Sequence, residues 1–261
     1  MPGSQLHRLM SFIRAFGPTL GFFLWWSLLF QSQILLRNIF RVSVPGIAHT
    51  LQLRRQDLPI FWQIMVMREY DLQSFAQTRR LLATYAAILA DGKNPVIIDC
   101  GGHVGFSAVW LATQFPGATV HVIEPDFCNF EVLQLNTAPY LNIVALRGGI
   151  WGHPCRLTIS NPDAGSASFQ VREVSECSGL PRSNLLRGYS VDEICGMVVQ
   201  PKLFGVKIDI EGAERELFMR QSEWLQHSDL VIIEIHDWLL PWQGTSRNFL
   251  SDSPSRNLTS F

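Results

Sequence analysis

From residue 96 onward, short all-apolar runs alternate with helix-length stretches, and this alternation restricts the fold more than any other feature of the chain. Residues 96–100 read as a buried strand, 105–114 as a helix, 119–124 as a strand, 128–136 as a helix and 142–146 as a third strand. Further on, 191–195 reads as a short helix, 204–210 as a strand, 214–221 as a helix and 230–236 as a strand. Strands that are apolar on both faces and joined by helices belong to a mostly parallel sheet covered on both sides, an α/β fold. Residues 156–160 and 166–171 look like an antiparallel pair inserted into it. The turn Asp91-Gly92-Lys93-Asn94-Pro95 marks the start of the sheet. Ahead of it, 40–53 alternates around Pro45-Gly46 and reads as a hairpin, while 58–71 and 74–89 carry helical spacing. A chain of 261 residues has room for one such core plus extensions.

The first strand runs into a turn with three glycines, VIIDCGGHVGFSA. In a sheet of this kind ligands bind beyond the carboxyl ends of the strands. Glycines there let the backbone come close to a ligand, and the next helix offers unpaired N–H groups. A dinucleotide fingerprint would need a glycine where Cys100 stands in Cys100-Gly101-Gly102-His103-Val104-Gly105. Asp99 precedes the loop instead, giving D-x-G-x-x-x-G, and an acid at that point repels pyrophosphate but suits a cationic ligand such as S-adenosylmethionine. The second strand ends in Val122-Ile123-Glu124-Pro125, where Glu124 can accept both ribose hydroxyls. Asp99, Cys100, Gly101, Gly102, His103, Gly105, Glu124 and Pro125 are therefore the candidate cofactor-binding residues.

Four segments, VIIDCGGHVGFSA, VHVIEPDFCNFEVLQLN, VKIDIEGAERELF and VIIEIHDWL, resemble the FkbM-type methyltransferase family in order and spacing. VPGIAHTLQLRRQDLPIFWQIMVMREYDL is similar to the segment those proteins carry ahead of the main domain, so the resemblance covers residues 41–250. It implies a class I, Rossmann-like S-adenosylmethionine fold. It also implies methyl transfer to an oxygen, often a hydroxyl of a sugar or a polyketide-like product. The family loop usually reads D-x-G-A-N-x-G. Gly102 for Ala is a mild change, whereas His103 for Asn alters the polar group facing the methionine end of the cofactor. The chain also stops soon after Asp237-Trp238, so the last two strands of the class are expected to be missing. The 230–236 strand is then an edge or is covered by the tail.

Methyl transfer to oxygen needs alignment and removal of a hydroxyl proton. Lys207-Ile208-Asp209-Ile210-Glu211 alternates, which sends its three charges to one side, and Glu234 and His236 repeat the arrangement on the next strand. Charges in a near-buried strand are costly unless they pair or work. Asp209, Glu211, His236 and Lys207 are the candidate catalytic group, with His236 or Asp209 as the base. Lys207 could instead only pair with its acidic neighbours, and Glu214 suits a helix N-terminus. A divalent ion among Asp209, Glu211, Glu234 and His236 has hard-oxygen chemistry in its favour but no ligand pair at metal spacing, so no metal is expected. His7, His49, His121, His153 and His227 read as surface or satisfied core groups.

A net charge of −1 gives no bulk case for nucleic-acid binding. Five widely spaced cysteines without CxxC argue against zinc and disulfide frameworks and fit reduced thiols in the cytoplasm. The first 55 residues hold Arg8, Arg14, Arg37, Arg41, Arg54 and Arg55 and no acid, around the uncharged stretch AFGPTLGFFLWWSLLFQSQILL. With Trp25 and Trp26 at its middle, residues 15–36 suit a helix at the inner membrane face, a helix docked on its own domain, or a signal segment. The expected division is 1–37 as hydrophobic helix, 38–95 as hairpin and helices, 96–240 as the cofactor domain and 241–261 as an irregular tail. The expected partner is a small-molecule or glycan acceptor whose pocket residues 40–85 and the insertion 151–187 are expected to shape, and an exposed edge strand leaves room for oligomers. Two other readings stand beside this one: a binding module that has lost activity, and a nicotinamide-dependent oxidoreductase, disfavoured by Asp99 and the absent first glycine.

Overall fold

The computed structural model describes residues 5–29, 39–165, 168–175, 179–219 and 223–234. The chain opens with α1 (Gln5–Phe16) and α2 (Pro18–Leu29), followed by the hairpin β1 (Ile39–Val42) and β2 (Leu51–Arg54). Next come α3 (Leu58–Phe61), which widens into a π turn over Trp62–Val66, and α4 (Thr78–Ala90). The sheet region runs β3 (Asn94–Cys100), α5 (Phe106–Gln114), β4 (Thr119–Glu124), α6 (Phe127–Thr137) and β5 (Ile143–Ile150). An insertion adds β6 (Cys155–Ile159), β7 (Val171–Glu173) and β8 (Leu186–Tyr189). The remaining elements are α7 (Val191–Cys195), β9 (Pro201–Ile208), α8 (Glu214–Met219), α9 (Trp224–His227) and β10 (Leu230–Ile233).

The eight-stranded sheet has the order β10-β9-β3-β4-β5-β8-β6-β7. β10 through β8 run parallel, and β6 and β7 are antiparallel additions. Side chains alternate between faces along each strand. Ile97, Val120 and Val122 pack under α4, α5 and α6, while Val96, Ile98, Val206 and Ile208 pack under α7, α8 and α9. The chain leaves β3 toward β4 and β5, then returns to place β9 on β3's other side. β3 and β9 therefore flank a topological switch point, where a Rossmann-like sheet opens a crevice beyond its carboxyl ends.

The hydrophobic front end is two helices, not one. Gly17 takes φ +80° and Pro18 starts α2, so the chain folds back. The two helices cross closely at Gly21, where a Cβ would come 2.6 Å from the Phe12 carbonyl oxygen. Phe12 and Leu24 enter the same core as Phe61 and Phe106, through ring contacts Phe16–Phe61 at 5.8 Å and Phe61–Phe106 at 5.5 Å. Among the described residues no helix is long and apolar enough to cross a membrane.

Three other expectations shift. The helix over 58–71 is shorter, because the π turn over-widens it and Arg68 ends it at φ +55°. The strand expected over 204–210 spans 201–208. β8 was not anticipated at all: Leu-Arg-Gly-Tyr carries no strand pattern, and it fits between β5 and β6 because Gly148 leaves room on the β5 side and Gly188 on the β6 side. β10 is the outermost strand among the described residues. The expectations about residues 235–261 lie outside them.

Candidate active site

The glycine loop is clipped to the end of β4. The N–H groups of Gly101 and Gly102 both donate to the Ile123 carbonyl, at 3.1 and 2.9 Å. Gly101 has φ +82°, and a Cβ there would lie 1.8 Å from the Asp209 carbonyl oxygen. Gly101→Ala is therefore expected to lose about 1–3 kcal/mol for the backbone conformation alone, with more from the collision, measurable as a lowered urea midpoint. A Cβ on Gly102 would come 2.0 Å from Val122 Cγ2, a stiff β-branched group. Glycine for alanine at 102 is thus a requirement of this chain, not the mild change expected. Gly105, at φ +88°, caps α5 and does not line the crevice.

The crevice is a cleft of about 250 Å³. Its lining holds Gly101, Gly102, His103, Glu124 and Pro125 together with Lys207, Asp209, Glu211 and Glu234. Residues from four strand ends thus meet in one space. Asp99 and Cys100 are absent from its lining. Asp99 is wholly buried beside its register partner Lys207, with the Lys207 ammonium and the Ser107 hydroxyl, both in the lining, closing over it. Cys100 is buried on the opposite face, where burial raises its thiol far above the ordinary range. His236 lies outside the described residues.

Lys207 is the hub beneath the cleft. Its Nζ donates to the Gly101 carbonyl at 2.8 Å and lies 3.3 Å from both Asp99 Oδ1 and Asp209 Oδ2. Ser107 donates to Asp99 Oδ2 at 2.5 Å. Burial disfavours the ammonium, but Asp99 and Asp209 outweigh it and hold Lys207 well above its ordinary range. Burial raises Asp99, opposed by Lys207 and Ser107. Two facing carboxylates make the lysine the member whose charge is fixed. The strand period ends at Ile208, so Asp209 and Glu211 reach the cleft from a turn in which Glu211 has φ +53°, not from the strand itself.

Glu124 is almost fully buried and held by three donors: His103 N at 2.9 Å on Oε2, and Asp126 N at 3.0 Å and Asn129 Nδ2 at 3.2 Å on Oε1. Burial still pushes its carboxyl up to about 8. A carboxylate has about four acceptor sites, so this one retains room for one ribose hydroxyl more readily than for two. Asn129 is gripped in turn by Arg54 Nη2 at 2.6 Å, and Arg54 makes a forked pair with the buried Asp57 at 2.8 and 2.9 Å. Hairpin and helix α6 are tied again by Gln52 N to Asn136 Oδ1 at 2.7 Å. The segment ahead of the sheet is therefore fastened to the acid that faces the cleft.

His103 sits at φ +48° with its Nε2 3.6 Å from Asp57 Oδ1. Its ring leans on the segment ahead of the sheet, and neither ring nitrogen has a hydrogen-bond partner among the described residues. Desolvation lowers its pKa from 6.5 to about 4, against the pull of Asp57. The unfolded chain takes up this proton first as pH falls, so stability is expected to drop between pH 6.5 and about 4. His103→Asn, which keeps a residue at home at positive φ, is expected to flatten that acid limb in urea unfolding.

Residues from outside the motifs complete the cleft. Gln63 and Tyr70 come from the segment ahead of the sheet, Gly148 and Gly149 from the end of β5, and Ser168, Phe169 and Val171 from the insertion. The segment ahead of the sheet and the insertion were expected to shape the pocket, but no pattern singles out these residues within them. The glycine pair at a strand end was the one available signal.

Fold and site define a Rossmann-like α/β protein with a small-molecule crevice at its switch point. A hexuronic acid methyltransferase of Haloferax volcanii, AglP, is 28% identical over 178 residues, which cover 66% of this chain and 66% of that protein, just under two thirds of its length. Among solved structures, WbdD is 13% identical with a TM-score of 0.38, over 76% of this chain and 38% of that one. A SAM-dependent methyltransferase from Agrobacterium tumefaciens is 13% identical with a TM-score of 0.24, over 44% and 33%. No protein-family model matches the chain.

Proposed function

We propose that this protein is an S-adenosylmethionine-dependent O-methyltransferase of the FkbM type, acting on a hydroxyl of a sugar, a glycolipid or another small-molecule acceptor. The observation that carries the reading is the cleft itself. A glycine loop and Glu124 line the same cleft as Asp209, Glu211 and Glu234, in a chain similar to a hexuronic acid methyltransferase. The donor set fits the cofactor: its carboxylates suit a sulfonium cation, and Glu124 keeps an acceptor site for a ribose hydroxyl.

When bound, the cofactor supplies the electrophilic methyl group. Gly101, Gly102 and His103 give the close backbone and Glu124 the hydroxyl contact, while Gln63, Tyr70 and Phe169 stand where an acceptor enters. Asp209 accepts the proton of the attacking hydroxyl, fixed in position by Lys207 at 3.3 Å. Glu211 and Glu234 orient the acceptor, and His236 is the alternative base. Alignment of oxygen and methyl, more than acid–base strength, is what such a site contributes.

The test is transfer of a labelled methyl group to a panel of neutral hexoses, hexuronic acids and glycolipids, alongside calorimetric titration with S-adenosylhomocysteine. A methyl ether formed by the parent and lost in Asp209→Asn, with cofactor binding retained, supports the reading. A folded protein that does not bind S-adenosylhomocysteine overturns it.

Contact with a membrane surface on the cytoplasmic side belongs to the same reading. Phe22, Phe23 and Trp26 of α2 are 47%, 38% and 45% exposed and Arg14 of α1 is exposed, in helices without acids. A short apolar face with arginines lies on an anionic surface rather than crossing it. Co-sedimentation with phosphatidylglycerol vesicles is expected and is lost in Phe22→Ser/Trp26→Ser. Equal pelleting of that variant removes the idea.

A further inference from the structure

The insertion brings together three side chains that the proposed reaction does not use. His153 precedes β6, Cys155 begins it, and Glu173 ends β7. Each offers one ligand atom, and these atoms lie within 4.8 Å of one another. His153 Nε2 is 3.1 Å from Glu173 Oε1. Nitrogen and oxygen ligands at about 2.0–2.1 Å from a tetrahedral zinc ion stand about 3.3 Å apart, so this pair already has nearly the required separation.

We propose that His153, Cys155 and Glu173 bind a single zinc-class ion, with water in the fourth position. One imidazole, one thiol and one carboxylate form a donor set of borderline softness, which suits Zn²⁺ and not the hard ions Mg²⁺ and Ca²⁺. The other oxygen of Glu173 already accepts from Trp151 Nε1 at 3.3 Å, the kind of outer contact that orients a ligating carboxylate. The bond to Glu173 leaves the histidine ring half satisfied, since its Nδ1 is buried without a partner among the described residues. His153 and Glu173 are 31% and 46% exposed, so an ion can enter from solvent.

The sequence hides this site because its parts are a His-x-Cys pair and a glutamate eighteen positions beyond Cys155. They meet only when β6 and β7 pair with Leu157 opposite Glu173. Ser168, Phe169 and Val171, just ahead of Glu173, line the cleft. A bound ion therefore ties one wall of the cleft to the start of β6.

The experiment titrates the full, chelator-stripped protein with Co²⁺ and then Zn²⁺. One equivalent of Co²⁺ is expected to produce a near-ultraviolet thiolate band that Zn²⁺ abolishes. Cys155→Ser should lose the band. His153→Ala and Glu173→Gln should bind at least tenfold more weakly, and Trp151→Phe should weaken binding about 10- to 100-fold. Cys128→Ser should change nothing. On the unaltered protein, Zn²⁺ should protect Cys155 from alkylation, mapped by mass spectrometry, which keeps the test independent of any variant's folding. No band, a band that survives Cys155→Ser, or alkylation of Cys155 unaffected by Zn²⁺ overturns the proposal.

Discussion

Replacing Lys207 with methionine is expected to destabilise the protein by about 3–5 kcal/mol, the range for removing one partner of a buried ion pair. Lys207 and Asp99 are 4% and 0% exposed, and the ammonium also holds Asp209 and the Gly101 carbonyl. Methionine fills the space but leaves Asp99 with Ser107 as its remaining partner and leaves the glycine loop unanchored. The double variant Lys207→Met/Asp99→Asn should recover much of the loss, because it removes the uncompensated charge. Urea unfolding of the four proteins in the cycle measures both. A single variant as stable as the parent would show that Asp99 is neutral in the fold.

The second large effect belongs to Glu124. Above about pH 8, where the carboxyl is ionised, Glu124→Ala is expected to weaken S-adenosylhomocysteine binding roughly 10- to 150-fold, the worth of one hydrogen bond to a charged group. Glu124→Gln should not rescue it. Both oxygens accept from N–H donors, so an amide must turn its NH₂ against one of them. Stability should move the other way. The folded carboxyl titrates near 8 and its ordinary value is 4.5, so the folded state holds the extra proton between them. The parent therefore loses stability as pH rises from about 4.5 to about 8, and Glu124→Gln is expected to remove that slope. Calorimetry at several pH values reads affinity and stability separately, and equal slopes in parent and variant would contradict the assignment.

The central strands and the glycine loop were legible because both rest on local signals: apolar runs of strand length and glycines where the backbone must turn. Asp99 shows where local signals mislead. An acid just before a glycine loop reads as facing a ligand, but whether it stays open or is covered depends on the strand that comes to lie beside it. That strand, β9, lies more than a hundred residues away and brings Lys207 into register with Asp99. Within the segment expected to shape the pocket, Tyr70 and Gln63 could not be singled out, for a related reason. They reach the cleft because Arg54 and Gln52 dock on Asn129 and Asn136, side chains with no sequence pattern of their own. The split of the apolar front end turned on one residue, Gly17, whose positive φ lets the chain reverse.

The fastening of Gln52 to Asn136 spans 84 residues, and this has a consequence for birth on the ribosome. At roughly 5–20 residues per second, α6 follows the hairpin out by about 4–17 seconds. For the first part of that interval Phe12 and Leu24 have left the tunnel, while Phe106, which follows Gln52 by 54 residues, has not yet emerged to cover them. The nascent chain thus carries an uncovered apolar pair of helices, and whichever surface or chaperone it meets in those seconds has the first opportunity to hold it.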